Sequence, residues 1–400
     1  MITDPTPRTS LGEGKSSRKN SATEARGGGN PIGLYLHIPF CVRKCNYCDF
    51  CSKPPSENDF DKYFERLKSE FSDYKRSPKI KINSLFIGGG TPSLLPLGYF
   101  TRLFDFISDT FDFCEDCEIT AEINPGTLTE EKAKEYRALG INRISIGLQS
   151  IHENELKKLG RIHDYDEFAR AYATVFDVGI ENINVDLMYG IPEQTKKSFS
   201  ETVDKILTLS PKHLSLYGLI LEEGTAFWNI QDRLNLPSED EECDMYYLAA
   251  EKLKGAGYSH YEISNYAKPG YECRHNLKYW RDEEYIGVGV SAYSYLDGKR
   301  FGNSSKINEY LSSDSKKYNY EEIISKEDEA YEYAMLRFRL AEGFSLSEYE
   351  NRFGKSFLTS DRAEKILNYQ RLGYINCLGD KISLSDKGFY SSNRILTDLL

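Results

Sequence analysis

Between Gly33 and Leu219 the chain alternates short β-rich runs with amphipathic helical stretches, and that alternation restricts the fold more than any other feature. The strand candidates are Gly33–Ile38, Ile82–Gly88, Glu118–Ile123, Arg143–Leu148, Asn182–Met188 and His213–Leu219. Between the first two, Phe60, Tyr63, Phe64, Leu67, Phe71 and Tyr74 recur at three- and four-residue intervals, which places them along one helical face. Phe168, Tyr172, Val175 and Phe176 repeat the pattern between the fourth and fifth strands. A strand–helix–strand run requires a crossover connection, and crossovers join parallel strands. The expectation is an α/β protein whose body is a partial, six-unit (β/α) barrel, short of the eight units of a closed one. No fixed-period sequence repeat accompanies it.

The flanking segments differ in composition. Residues 1–30 are rich in Ser, Gly, Thr, Arg and Lys with almost no large apolar residues, so a disordered tail is expected. Asp4, Glu13 and Glu24 interrupt its basic character, which argues against a transit peptide, and no apolar signal core is visible. The barrel is assigned to 31–231. Residues 232–324 read as a helix-containing connection, in which Glu239-Asp240-Glu241-Glu242 suits a solvated helix start. Residues 325–400 read as a small winged-helix-like α+β domain. Its helices are expected over Tyr331–Leu340 and Asp361–Leu372, followed by a hairpin over Tyr374–Leu384 and a last helix.

Charge and cysteine content narrow the function classes. The 51 basic and 62 acidic residues leave a net charge of −11, which speaks against nucleic acid as a partner. No uncharged apolar run approaches the roughly 18 residues of a membrane-spanning helix, which leaves peripheral membrane contact open. Nine Cys are too sparse for a secreted disulfide scaffold. A reducing cytoplasm is expected, where clustered thiols serve metals or catalysis more often than crosslinks.

Three of the nine follow the first strand: Cys41-Val42-Arg43-Lys44-Cys45-Asn46-Tyr47-Cys48, a C-x3-C-x2-C spacing. Three thiolates so close in sequence can wrap one small metal centre. A zinc knot would need a fourth ligand such as Cys51, and buried structural cysteines are the plainer alternative. A four-iron cluster normally takes four Cys, and three would leave one iron open to an external ligand. The loop lies at the C-terminal end of its strand, where barrel-type folds keep their active sites. Phe40, Tyr47 and Phe50 interleave the thiols with aromatic cover. Other strands end in polar groups on the same side. Gly88-Gly89-Gly90-Thr91-Pro92-Ser93 lets backbone approach a ligand closely. Glu122, Gln149, Arg161 and Asp186 follow at or just beyond the ends of strands three to five. Any one of them alone suits a salt bridge or a cap; together they suit a binding site.

This constellation resembles the radical S-adenosylmethionine superfamily. Tyr35–Asp49, Gly88–Ser93, Glu122–Pro125, Arg143–Ser150, Leu159–His163 and Asp186–Pro192 are similar to the oxygen-independent coproporphyrinogen III oxidase family. The resemblance implies a [4Fe–4S] cluster on Cys41, Cys45 and Cys48. It also implies S-adenosylmethionine contacts at Tyr35, Gly89, Gly90, Thr91, Glu122, Gln149, Arg161 and Asp186. Two branches diverge after the third thiol. The oxidase has Cys-Gly-Cys, whereas this chain reads Cys48-Asp49-Phe50, as HemW-type heme chaperones do. His275-Asn276-Leu277-Lys278-Tyr279-Trp280 likewise matches that branch's His-Asn-x-x-Tyr-Trp. What this implies is heme as a further ligand, His275 as its candidate binding residue and heme-accepting proteins as partners. His is the commonest protein ligand of heme iron, and Tyr279 and Trp280 offer flat apolar cover. The alternative implied by the family is radical decarboxylation of coproporphyrinogen III propionates; no residue is assigned a catalytic role. Tyr293 stands where the family usually has His, so any help that His gives to heme is absent or altered here. His37 is expected on the cluster side of the barrel. Cys114-x-x-Cys117 reads as structural, and Cys243, Cys273 and Cys377 as small buried hydrophobes, with Cys273 close enough in sequence to His275 to approach heme.

Overall fold

The computed structural model describes residues 30–313 and 318–400. The expected tail, apart from Asn30, lies outside them. Six strands run parallel in chain order: β1 (Ile32–Ile38), β2 (Ile80–Gly89), β3 (Phe111–Ile123), β4 (Arg143–Gln149), β5 (Asn182–Tyr189) and β6 (His213–Gly218). Crossovers carry α1 (Asp59–Asp73), α2 (Tyr99–Thr110), α3 (Glu130–Ala138), α4 (Glu153–Leu159), α5 (Tyr165–Asp177) and α6 (Lys196–Leu207). In α1, Tyr63, Phe64, Leu67 and Phe71 are buried in the main core, as their spacing predicts. In α5, Phe168 and Val175 are buried but Phe176 is 52% exposed, so that stripe is narrower than expected.

Strand parity separates packing from chemistry, because successive side chains point to opposite faces. Leu34, Leu36, Leu85, Ile87, Ile144, Ile146, Val185 and Leu187 pack into the core. The alternate positions Tyr35, His37, Phe86, Glu122, Arg143, Ser145, Asn184, Asp186, Ser215 and Tyr217 all line one cavity. Since β1 through β6 all contribute to it, the sheet curls around that space as a partial barrel does.

The connection over 232–324 holds more than a helix. After α7 (Glu239–Gly255), whose start is fixed by a Ser238/Glu241 capping box, come β7 (Ser259–Glu262) and β8 (Asn265–Ala267); β8 adds antiparallel to β6, and β7 pairs antiparallel with β8 at the edge. Then α8 (Arg274–Trp280) leads to β9 (Tyr285–Val288), which pairs parallel with β1. The strands β10 (Tyr293–Leu296), β11 (Lys299–Gly302) and β12 (Tyr320–Ile323) continue that edge, with α9 (Ile307–Ser312) between the last two. The sheet thus has twelve strands in the described residues. The added ones are three or four residues long, too short for periodicity to reveal.

The C-terminal region has its own core, built by α10 (Lys326–Arg337), β13 (Phe344–Ser345), α11 (Leu346–Phe353), α12 (Ser360–Arg371), β14 (Ile375–Leu378), β15 (Lys381–Leu384), α13 (Asp386–Tyr390) and α14 (Ser392–Leu399). Its small antiparallel sheet, ordered β13-β15-β14, matches the expected helix–hairpin–helix pattern. Among the described residues no helix is long and apolar enough to cross a membrane.

Candidate functional site

The cysteine loop leaves β1 and is pinned on three sides. Gly90 N and Thr91 N donate to the carbonyls of Ile38 and Phe40, each at 2.8 Å, which zips the glycine-rich segment against the loop's start. A Cβ on Gly90 would lie 2.8 Å from the Phe40 carbonyl oxygen, so only glycine permits this approach. On another side, Asn46 N donates to Leu159 O at 2.9 Å and Arg43 Nη2 to Gly160 O at 2.7 Å. Tyr47 packs with Leu159, Met188, Ile191 and Phe227, and Cys45 and Cys48 lie against that cluster. On the third, His37 bonds the Tyr35 hydroxyl at 3.0 Å and the Cys51 carbonyl at 2.9 Å. Burial pulls His37 down to about 4, so a neutral imidazole ties the loop's exit back to the strand.

The thiols themselves are half-buried. Burial, with the nearby Cys45 and Cys41, pushes the Cys48 thiol up to about 12. Such a thiol stays protonated until a cationic centre binds its sulfur and displaces the proton. Thr91 Oγ1 donates to Cys41 Sγ at 3.4 Å and Arg161 Nη1 to Cys45 Sγ at 3.7 Å, donors suited to thiolates. Among the described residues no three His, Cys, Asp or Glu groups converge tightly enough for a single ion. Three thiols on one loop suit a multi-iron body, whereas a zinc knot needs a fourth ligand. Cys51 is turned to other work, its thiol donating to Ser305 O at 3.0 Å.

Every residue singled out from sequence as a cluster, S-adenosylmethionine or heme contact lines the same cavity, whose volume is ≈ 1030 Å³. Glu122 accepts from Gly89 N at 3.1 Å, and Asp186 from Asn184 Nδ2 at 2.8 Å. Burial, reinforced by Asp186, raises Glu122 to about 8; burial also raises Asp186. Arg161 ties the loop to β4 by donating to Gly147 O. Gln149 Oε1 and Arg161 Nε are buried without a partner. Two crowded carboxylates and two unsatisfied polar atoms are what a polar cofactor bearing an ammonium group and hydroxyls would complete.

The Glu122 shift carries a testable sign. With a folded value of about 8 against the usual 4.5, the folded state holds this proton over a range where the unfolded chain has lost it. Stability therefore falls as pH rises across that window. Glu122→Gln is expected to unfold like the wild type near pH 5 and to exceed it by about 2 kcal/mol at pH 8. Denaturant unfolding of cofactor-free protein at the two pH values measures it, and an equal pH slope in both proteins would refute it.

His275 sits 1% exposed at the start of α8. Its Nδ1 bonds Ser84 Oγ at 2.9 Å and its Nε2 the Tyr279 hydroxyl at 2.8 Å, while Phe86 stacks on the ring at 5.4 Å. Burial, then Lys278 and Arg143, lower it to about 3. Cys273 is fully buried against Glu118 and does not line the cavity. Cys243 and Cys377 are only half-buried, unlike the expectation for them.

Comparison with known proteins sets this geometry in a family. The radical SAM superfamily model matches residues 35–206, and the HemN C-terminal domain model matches 324–390. The heme chaperone HemW of Lactococcus lactis subsp. lactis (strain IL1403) is 38% identical over 375 residues, covering 92% of this chain and 97% of that protein. The heme chaperone HemW of Escherichia coli (strain K12) is 37% identical over 324 residues, covering 80% and 85%. The chain belongs to the HemW heme chaperone family. Coproporphyrinogen III oxidase (HemN) from Escherichia coli, a radical SAM enzyme, shares the fold at a TM-score of 0.82 over 92% of this chain and 90% of that one, at 22% identity.

For a HemW family member the cavity holds more than the sequence motifs disclosed. Arg143, at the start of β4, is 2% exposed and faces the lumen close to Glu118 and Asp186. Its place was legible, since 143, 145 and 147 share one parity. Glu262 and Arg339 also line the cavity. They come from β7 and from the residues after α10, and no local pattern marks either.

Proposed function

We propose that this chain carries a [4Fe–4S] cluster on Cys41, Cys45 and Cys48, binds S-adenosylmethionine beside it, and binds heme in the same cavity for delivery to acceptor proteins. The observation that carries the reading is continuity. One cavity is lined by the cysteine loop, by Glu122 and Asp186, and by Asn276, Tyr279 and Trp280 of α8. A cluster held by three thiolates leaves one iron for S-adenosylmethionine to chelate, which supplies low-potential electron transfer. The chain's own part is to bind and orient. Tyr35, Gly89, Gly90 and Thr91 line the side next to the loop; Glu122 and Asp186 accept hydrogen bonds, and Gln149 and Arg161 supply further polar contacts.

His275 is neutral at any physiological pH, as an iron ligand must be. To ligate, its Nε2 must exchange the Tyr279 hydroxyl for iron, so Tyr279 acts as a latch on the imidazole. In anaerobic heme titrations followed by the Soret band, His275→Ala is expected to shift the band and weaken binding about tenfold or more. Tyr279→Phe is expected to bind at least as tightly as wild type. A wild type that binds no heme, or that makes protoporphyrinogen from coproporphyrinogen III with S-adenosylmethionine and reductant, would overturn the chaperone reading.

A further inference from the structure

The C-terminal domain closes part of the cavity with Met335, Leu336, Arg339, Phe389 and Asn393, facing Trp280 and Glu262 across it. Arg339 is the cation there. Its guanidinium lies 5.8 Å from the centroid of the Trp280 ring and donates to Asn393 Oδ1 at 3.2 Å. Among the described residues no carboxylate pairs with it. Glu342, three residues on, is taken by Arg281 and Arg337. Burial pulls the Arg339 pKa down, with Glu262 the opposing charge in range.

Two further polar groups lie beside it. Trp280 is 5% exposed and Glu262 is fully buried, and the Trp280 N–H lies near the Glu262 carboxyl without a well-aligned hydrogen bond. Loosely paired buried polar groups leave hydrogen-bonding capacity for a ligand. Several other cations of the cavity have partners, although Lys44 lies exposed on the cysteine loop. Arg300 holds Glu332 through two hydrogen bonds, at 2.9 and 2.7 Å. Arg161 donates to Gly147 O and Cys45 Sγ, and Arg43 to the Gly160 carbonyl, while Arg143 on β4 lies near Glu118 and Asp186 with its Nε unpartnered. Among the described residues Arg339 is the cation that the C-terminal domain contributes to the cavity, and no carboxylate forms an ion pair with it.

Its surroundings select the anion. Met335, Leu336, Phe389 and Trp280 form an apolar wall, which suits a flat hydrophobic body bearing a carboxylate at its edge and disfavours a free, strongly hydrated ion. We infer that Arg339, with the Trp280 Nε1–H beside it, docks a propionate carboxylate of the bound tetrapyrrole. This rests on the heme-binding reading and deepens it: the C-terminal domain grips the polar edge of the ring while α8 meets its face. Arginine suits the task because its planar fork matches a carboxylate. Burial raises the Glu262 carboxyl to about 7, which weakens its hold on Arg339 as a counter-charge.

The test compares heme with its dimethyl ester, which keeps the ring and iron but loses both negative charges. Soret titrations of wild type, Arg339→Gln and Arg339→Lys against both ligands supply the readout. The wild type is expected to prefer heme over the ester about tenfold or more, and Arg339→Gln to lose that preference by weakening heme binding alone. Arg339→Lys is expected to fall between, because it keeps the charge without the fork. Equal heme affinity in wild type and Arg339→Gln overturns the inference while the heme reading stands. A wild type that binds neither ligand overturns the heme reading itself. Should Arg339→Gln fail to fold, the wild-type comparison decides, and equal affinity for heme and ester overturns the inference.

Discussion

Cys45→Ser is expected to abolish the iron centre and leave the fold intact. After anaerobic reconstitution the wild type should carry about four iron and four sulfide per chain, and the variant close to none. The expectation follows from geometry as well as spacing. Cys45 is half-buried, its thiol is approached by Arg161 Nη1 at 3.7 Å, and its carbonyl accepts from Cys48 N at 3.2 Å, a turn that gathers two of the three thiols. The Cys45 backbone bond survives the substitution, and so do the loop's anchors through Asn46, Arg43 and Gly90. Cys51→Ser is the matched control. Its thiol bonds Ser305 O, and the His37 contact is to its carbonyl, so iron content should not change. Loss of iron in Cys51→Ser, or about four iron retained in Cys45→Ser, would reassign the ligands. One zinc and no sulfide in the wild type would reject the cluster altogether.

The parallel strands were legible because burial on both faces makes them near-continuous apolar runs, as in β1. β3 shows the limit of that signal. It begins at Phe111 rather than Glu118, because Asp112, Glu115 and Asp116 break the apolar run while the backbone still pairs with β2. That the three loop cysteines and the strand-end residues line one cavity was legible for a different reason: parity and the strand-end rule bring residues from separate strands to one mouth. What sequence does not carry is how a polar side chain is spent. His275 reads as a ligand by type, yet both its ring nitrogens are occupied, by Ser84 from β2 and by Tyr279 one helical turn on. Glu262 and Arg339 meet the site only after the chain folds back on β6 and the C-terminal domain docks, so their neighbours are far away in sequence.

Glu70→Ala is expected to cost about 3–5 kcal/mol of stability, the price of removing one partner from a buried charged network. Glu70 is 1% exposed on α1. Its carboxylate accepts from the Tyr310 hydroxyl and from Asn303 Nδ2, each at 2.6 Å, and from Gly289 N at 3.3 Å. Arg66 Nη1 lies 3.8 Å away, and alanine would leave that buried guanidinium without its counter-charge. The network also reaches the functional site. One to two turns earlier on the same helix, the Tyr63 hydroxyl donates to His37 O at 2.7 Å and accepts from Val290 N at 3.1 Å. Gly289, at φ +105, has no room for a Cβ, which would fall 2.6 Å from that hydroxyl. α1 therefore clamps the end of β9 onto the strand that launches the cysteine loop. Glu70→Gln should lose less, since it keeps an acceptor. Urea unfolding of cluster-free protein should show a lower midpoint with unchanged slope for Glu70→Ala, and cluster reconstitution should become slower or less complete. A loss below about 1 kcal/mol would mean that the helix is held by its apolar face alone, and that the carboxylate merely fills space within it.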